Sequence, residues 1–143
     1  MTPTVRSILD HKGYDLWSAP PDASVYDALS IMAQRNIGAL PILEAGGLRG
    51  IFSERDYARK VVLRGRNSMD TPVREIMTPA VITVRPDDTV HHCMALMTEL
   101  RTRHLPVVEG ARVLGLISIG DVVHALIEEQ SHVIEQLESY IRT

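Results

Sequence analysis

Two stretches of the chain share one hydrophobic rhythm. Apolar side chains recur at Val25, Ala28, Leu29 and Met32, and again at Val90, Cys93, Met94 and Met97. The i, i+3, i+4, i+7 spacing marks one face of an α-helix. Ser24 and Thr89 stand just before the first apolar position of each stretch. A hydroxyl there can accept from an orphan backbone N–H, so both are predicted N-caps.

After each predicted helix the rhythm changes. Short apolar runs at 40–43 and 105–108 lead into turn formers, Gly46-Gly47 in one case and Gly110-Ala111-Arg112 in the other. Second runs follow at 48–53 and 113–118. Paired short runs about such a turn predict a β-hairpin. A second helix is predicted from Ser53 and from Ser118, and Thr83-Val84, ahead of Pro86, predicts one more short strand. The unit is β-α-β-β-α, and it occurs twice.

The two units are a duplication. A shift of 65 positions carries Pro21-Asp22 onto Pro86-Asp87, Val25 onto Val90 and Met32 onto Met97. The same shift carries Leu40-Pro41 onto Leu105-Pro106, Glu44 onto Glu109, Gly50 onto Gly115, Ser53 onto Ser118 and Asp56 onto Asp121. Further upstream, Val5-Arg6-Ser7-Ile8-Leu9 echoes Val73-Arg74-Glu75-Ile76-Met77 at a shift of 68. One unit alone leaves a face of its short sheet uncovered, and two together can bury it. The polar, turn-rich stretch 65–72 suggests the division: repeat 1 over 1–65, a linker over 66–72, repeat 2 over 73–130, and a C-terminal helical extension over 131–143.

Composition narrows the picture in a few places. Aromatic residues are 4% of the chain, so the core must be built from aliphatic side chains and methionine. A net charge of -3 gives no general attraction to nucleic acid or anionic membrane, and neither is expected as a partner. Cys93 is the single cysteine, which excludes an internal disulfide and fits a reducing compartment. No apolar run approaches the length of a membrane span, and residues 1–13 lack the form of a signal peptide, so a cytoplasmic location is expected. Gly-x-Ser-x-Gly, His-Glu-x-x-His and Walker patterns are missing from the sequence, which points away from an enzyme.

Three sets of residues together resemble a known repeat. They are Ile76-Met77-Thr78-Pro79; Leu40-Pro41-Ile42 with Leu105-Pro106-Val107; and the segments Gly50-Ile51-Phe52-Ser53-Glu54-Arg55-Asp56 and Gly115-Leu116-Ile117-Ser118-Ile119-Gly120-Asp121. Each set alone is weakly specific, but their order and repetition make a strong signal. The chain resembles a tandem pair of CBS (cystathionine-β-synthase) domains, a stand-alone Bateman module. Residues 53–62, 103–108 and 118–123 are most similar to single-pair proteins of bacteria and plant mitochondria. The resemblance implies an α+β fold: two CBS repeats related by a pseudo-two-fold axis, with an extended C-terminal helix. It implies a regulatory module binding AMP or NAD(H), with ATP or S-adenosylmethionine as further options, and acting on a partner protein. No cofactor is required. The alternative is a structural dimerisation module without ligand.

The resemblance also nominates site residues. Asp56 and Asp121 would accept from ribose hydroxyls, since one carboxylate can take two vicinal donors. Ser53 and Ser118 lie at helix starts, where backbone N–H groups favour a phosphate. The same Ser-x-x-Asp spacing is that of a capping box, and the two roles can coexist. Arg103 and His104, ahead of Pro106, would reach phosphate or are a solvated arginine and a surface histidine, whereas the first copy has Gly38 and Ala39 there, so the two sites are chemically unequal. Arg55 has a similar role in the first copy, and Ile119 and Gly120 occupy the equivalent turn in the second. Ile82 and Thr83 line an adenine pocket or pack in the core. Trp17, followed by Ser18, stacks on a base or is buried. His91-His92-Cys93 is not read as a metal site, because adjacent helix positions diverge.

The helix begun at Ser118 is predicted to run on. Val123, Ile127, Gln130, Ile134, Leu137 and Ile141 alternate steps of four and three, while acids fill 128, 129, 135 and 138. Such a stripe needs cover, either from its own module or from a second copy, and a homodimer is expected.

Overall fold

A computed structural model of the chain describes residues 2–79 and 82–142, with side chains to Ile141. In chain order the elements are α1 (Val5–Lys12), α2 (Val25–Arg35), β1 (Ala39–Glu44), β2 (Gly47–Ser53), α3 (Glu54–Tyr57) extended by a π-helical turn (Ala58–Val62), a 3-10 turn (Val73–Glu75), α4 (Val90–Leu100), β3 (His104–Glu109), β4 (Arg112–Ser118) and α5 (Ile119–Arg142). The fold is α+β, as expected, and each hairpin forms a two-stranded antiparallel sheet, β1–β2 and β3–β4.

The chain divides into two compact bodies. The first holds Asp15–Thr83 and Gly110–Val113; the second holds the chain up to Tyr14, Val84–Glu109 and the chain from Leu114 onward. Each has its own aliphatic core. Val25, Ala28 and Met32 of α2 pack with Leu40, Ile42 and Phe52 in the first, and Val90, Cys93 and Met97 of α4 pack with Leu105, Val107 and Ile117 in the second. The predicted helical faces are therefore the buried ones. The predicted caps hold too: the Ser24 hydroxyl accepts from the Asp27 N–H at 3.0 Å, and the Thr89 hydroxyl from the His92 N–H at 3.1 Å.

Sequence repeats and compact bodies do not share boundaries. Val5, Ile8 and Leu9, upstream of the first repeat's helix, belong to the core of the second body; Val73 and Ile76 belong to that of the first. The docking is duplicated bond for bond. Val5 and Arg6 N–H donate to the Asp88 and Pro86 carbonyls at 2.9 and 2.8 Å. Val73 and Arg74 N–H donate to the Ala23 and Pro21 carbonyls at 2.7 and 3.0 Å. Each upstream segment thus caps the body built around the other repeat's hairpin.

The expected strand at Thr83-Val84 is shorter than predicted. It is a single parallel bridge from Val84 to Val107, repeated in the first body between Ala19 and Ile42. Prolines explain the truncation: Pro20 and Pro86 follow within two residues, and a proline cannot donate to a ladder.

The second helices of the repeats differ in length for a local reason. In the first, Leu63 N–H reaches the Ala58 carbonyl in a π-type bond of 3.1 Å, and Gly65 at φ +66° ends the run. The second has no glycine or proline after Gly120 and continues for 24 residues.

Candidate functional site

Both Ser-x-x-Asp segments fold as capping boxes. In the first body the Ser53 hydroxyl accepts from the Asp56 N–H at 3.1 Å, and the Asp56 carboxylate accepts from the Ser53 N–H at 3.0 Å. In the second, the Ser118 hydroxyl accepts from the Asp121 N–H at 3.1 Å, and Asp121 Oδ2 from the Ser118 N–H at 2.8 Å. Reciprocal bonding satisfies two otherwise orphaned donors at a helix start. The turn is further tied to the hairpin: Glu54 N–H donates to the Gly38 carbonyl at 3.1 Å, and Ile119 N–H to the Arg103 carbonyl at 2.8 Å. Residue 103 is thereby fixed beside the start of α5.

The glycine of each segment has a packing role. A Cβ at Gly50 would lie 2.7 Å from the Thr78 carbonyl oxygen, and one at Gly115 would lie 3.0 Å from Leu9 Cδ2. Both glycines admit the upstream segment that docks on the hairpin. Gly120 is different: a Cβ there would make only an ordinary 3.6 Å contact with Ser118 Oγ.

Beyond this shared frame the two carboxylates differ. Asp56 is buried, and four donors surround it. Ser53 N–H and Oγ each donate to Oδ2 at 3.0 Å; Thr78 Oγ1 and Lys60 Nζ each reach Oδ1 at 3.0 Å. An ionised carboxylate has about four lone-pair sites, so these partners saturate it. Asp121 is more open, with 23% of its side chain accessible. Ser118 N–H and Lys12 Nζ, each at 2.8 Å, both donate to Oδ2, and the Ser118 side chain adds a further hydrogen-bonding influence on the carboxylate. Burial raises the Asp121 pKa, but the Lys12 and Ser118 hydrogen bonds outweigh it and hold the carboxyl below its ordinary value.

The second body also brings basic groups to Asp121. Lys12, at the end of α1, donates to the Leu116 carbonyl at 2.9 Å as well as to the carboxylate. Burial pushes the His104 imidazole below its usual value; Asp121 pulls it up, and Lys12 and Arg103 push it down. The lowered pKa favours the neutral imidazole, and Lys12 is the cation bonded to Asp121. Pro106 is buried, and its carbonyl accepts the Val84 N–H at 2.9 Å.

Arg55 is exposed in the first turn of α3, in the same body as Asp56. Ile82 is 38% exposed and Thr83 is exposed, so neither is a core residue. Trp17 is 36% exposed, and one ring face carries the Arg35 guanidinium at 3.7 Å from the centroid, a cation–π contact in place of burial. Cys93 is fully buried, its thiol pushed up to about 11 by desolvation, while His91 Nε2 lies 3.1 Å from Glu129. Sequence reasoning missed Lys12, Lys60 and the role of Thr78. Lys60 was legible as an i, i+4 partner of Asp56; Lys12 had no local signal.

The CBS domain model matches residues 5–63 and 73–128. The chain belongs to the CBS domain family. It is 40% identical to the mitochondrial CBS domain-containing protein CBSX3 of Arabidopsis thaliana, over 97% of this chain and 72% of that protein. Its fold is similar to that of a candidate signal-transduction protein with CBS domains from Burkholderia ambifaria (48% identity, TM-score 0.84, covering 89% of this chain and 96% of that one). It is also similar to the CBS domain pair of MJ0100, solved with 5'-methylthioadenosine and S-adenosyl-L-methionine (28% identity, TM-score 0.80, covering 90% and 99%). As a CBS pair, the chain is of a regulatory kind. Among its described residues no helix is long and apolar enough to cross a membrane.

Proposed function

We propose that this CBS pair is a regulatory module, and not an enzyme, that binds an adenine nucleotide at Asp121 and acts on a partner protein. AMP and NAD(H) are the leading ligands, and ATP is the third. The carrying observation is the partly open Asp121 carboxylate bonded to Lys12, with Ser118, Ile119 and Gly120 forming the helix start around it and the Arg103 backbone tied to that start through Ile119 N–H. A ribose offers two hydroxyl donors to such a carboxylate, and the adjacent cations suit its phosphate. The adenosine-containing ligands of the MJ0100 pair support the ligand class. The saturated Asp56 makes the first copy the weaker site. A cytoplasmic location belongs to this proposal.

Calorimetric titration with AMP, NADH and ATP, with chromatography of each ligand after hours of incubation, tests the reading. Saturable binding of an unconverted nucleotide supports it. Absence of binding by all three, with no nucleotide released on denaturation, overturns it.

Self-association is the second reading. From Ser131 to Ile141 every residue of α5 is exposed, including Ile134, Leu137 and Ile141 on the heptad stripe. The tail does not fold back on its own body. A three-four repeat is the pattern that pairs with a copy of itself, and a homodimer would bury it.

A further inference from the structure

Lys12 lies in α1, outside every motif that marks the repeats, yet its ammonium sits on the second body's carboxylate. The contact is specific. One hydrogen goes to Asp121 Oδ2 at 2.8 Å and another to the Leu116 carbonyl at 2.9 Å. An ammonium has three hydrogens, so one is left to donate. The first body solves the same problem differently. There Thr78 pairs backbone to backbone with Ile51, the counterpart of Leu116, and Lys60, within the same helical segment, neutralises Asp56. The counterpart of Lys60 is Ala125, so the second repeat has no internal cation at that position. Its charge is imported on α1.

We infer that Lys12 is a specificity-determining residue that makes the Asp121 site favour phosphorylated over neutral nucleosides. The inference rests on nucleotide binding at Asp121. Of two vicinal ribose hydroxyls donating one to each oxygen, the first can take Oδ1, to which neither Ser118 N–H nor Lys12 donates, and the second competes with Lys12 for Oδ2. A neutral nucleoside weakens the ion pair and gives the ammonium nothing in exchange. A nucleotide supplies a phosphate, which the third ammonium hydrogen can reach as a charge-assisted donor. The same lysine therefore opposes adenosine and favours AMP.

The test compares AMP and adenosine affinities by calorimetry in the full chain, in Lys12→Gln and in Lys12→Arg. Melting curves establish that both variants fold. Lys12→Gln should lower the AMP-to-adenosine affinity ratio by at least about tenfold, the loss of one charge-assisted hydrogen bond. Adenosine itself should bind as well or better, and Lys12→Arg should restore most of the ratio. A second readout uses the unsubstituted protein: the Lys12 ammonium resonance, followed by NMR in lysine-labelled chain, should shift with AMP far more than with adenosine. A ratio unchanged in Lys12→Gln, or lost instead only in Arg103→Ala, overturns the role of Lys12 while leaving nucleotide binding intact. If neither ligand binds the unsubstituted chain, nucleotide binding itself is overturned, and the inference falls with it.

Discussion

Lys12 and Asp121 lie 109 residues apart along the chain, and the lysine Nζ donates to the carboxylate Oδ2 across 2.8 Å. Both side chains are partly exposed, at 38% and 23%, so solvent screens the pair and its contribution to stability is small. Its consequence is electrostatic. It keeps Asp121 ionised and places a cation where a phosphorylated ligand would meet it. Asp56, by contrast, is enclosed by four donors and is part of the framework of its body.

The two aspartates should therefore respond differently to substitution. Asp56→Ala leaves Ser53, Thr78 and Lys60 without their acceptor and should cost about 2–3 kcal/mol of stability, read as a shift in the urea midpoint. Asp121→Ala should cost less stability and weaken AMP binding by about 1.5–3 kcal/mol. Equal losses of stability, or an unchanged affinity in Asp121→Ala, would contradict the division of roles.

Gly50→Ala should be the more damaging of the two glycine substitutions. Its Cβ would press on the Thr78 backbone, whereas at Gly115 the obstacle is the movable end of Leu9. Overpacking costs about 1–3 kcal/mol where the neighbour cannot yield. Thermal denaturation of both variants checks the order, and a Gly115→Ala protein that melts lower than Gly50→Ala would reverse it.

Acid should destabilise the fold through His104. Its pKa in the folded chain lies below the ordinary value of 6.5, so the unfolded chain takes up the proton first. The contribution of the neutral ring is complete above that value and declines as pH falls toward the folded pKa. Denaturation midpoints between pH 5 and about 7.5 should fall on acidification, and His104→Gln should flatten that part of the profile. A parallel slope in both proteins would show that His104 titrates alike in the folded and unfolded states.

Charges on the exposed stripe of α5 should break self-association. Ile134→Asp with Leu137→Asp places two carboxylates on positions that are 54% and 57% exposed in the single chain. Folding of each body should survive, because no core residue changes. Light scattering should give a dimer for the unsubstituted chain and a shift toward monomer for the double variant. A monomeric parent, or a variant that dimerises as tightly, removes the tail from the interface.

Most of the local architecture was legible along the chain because its causes are local. The four-residue reach of a helix face set Val25, Ala28 and Met32 inward, and a hydroxyl three residues ahead of an N–H made Ser24, Ser53, Thr89 and Ser118 into caps. The duplication, the hairpins and the Ser-x-x-Asp frame followed from the same short-range order. The candidate site was legible as far as Asp121, Ser118 and Arg103, which lie near one another in sequence or hold places fixed by the repeat.

What the sequence left undecided depended on the path of the chain through space. No pattern around Lys12 points to Asp121; the contact exists because Val5, Ile8 and Leu9 bury their apolar face in the second body and carry the lysine with them. The lowered pKa of His104 likewise arises from burial and from charges on Asp121 and Lys12, which are distant in sequence. Periodicity and turn chemistry are read within a few residues, so they specified the elements. Which buried face receives α1, and hence which carboxylate acquires a cation, is a matter of packing between segments, and that only the tertiary structure decided.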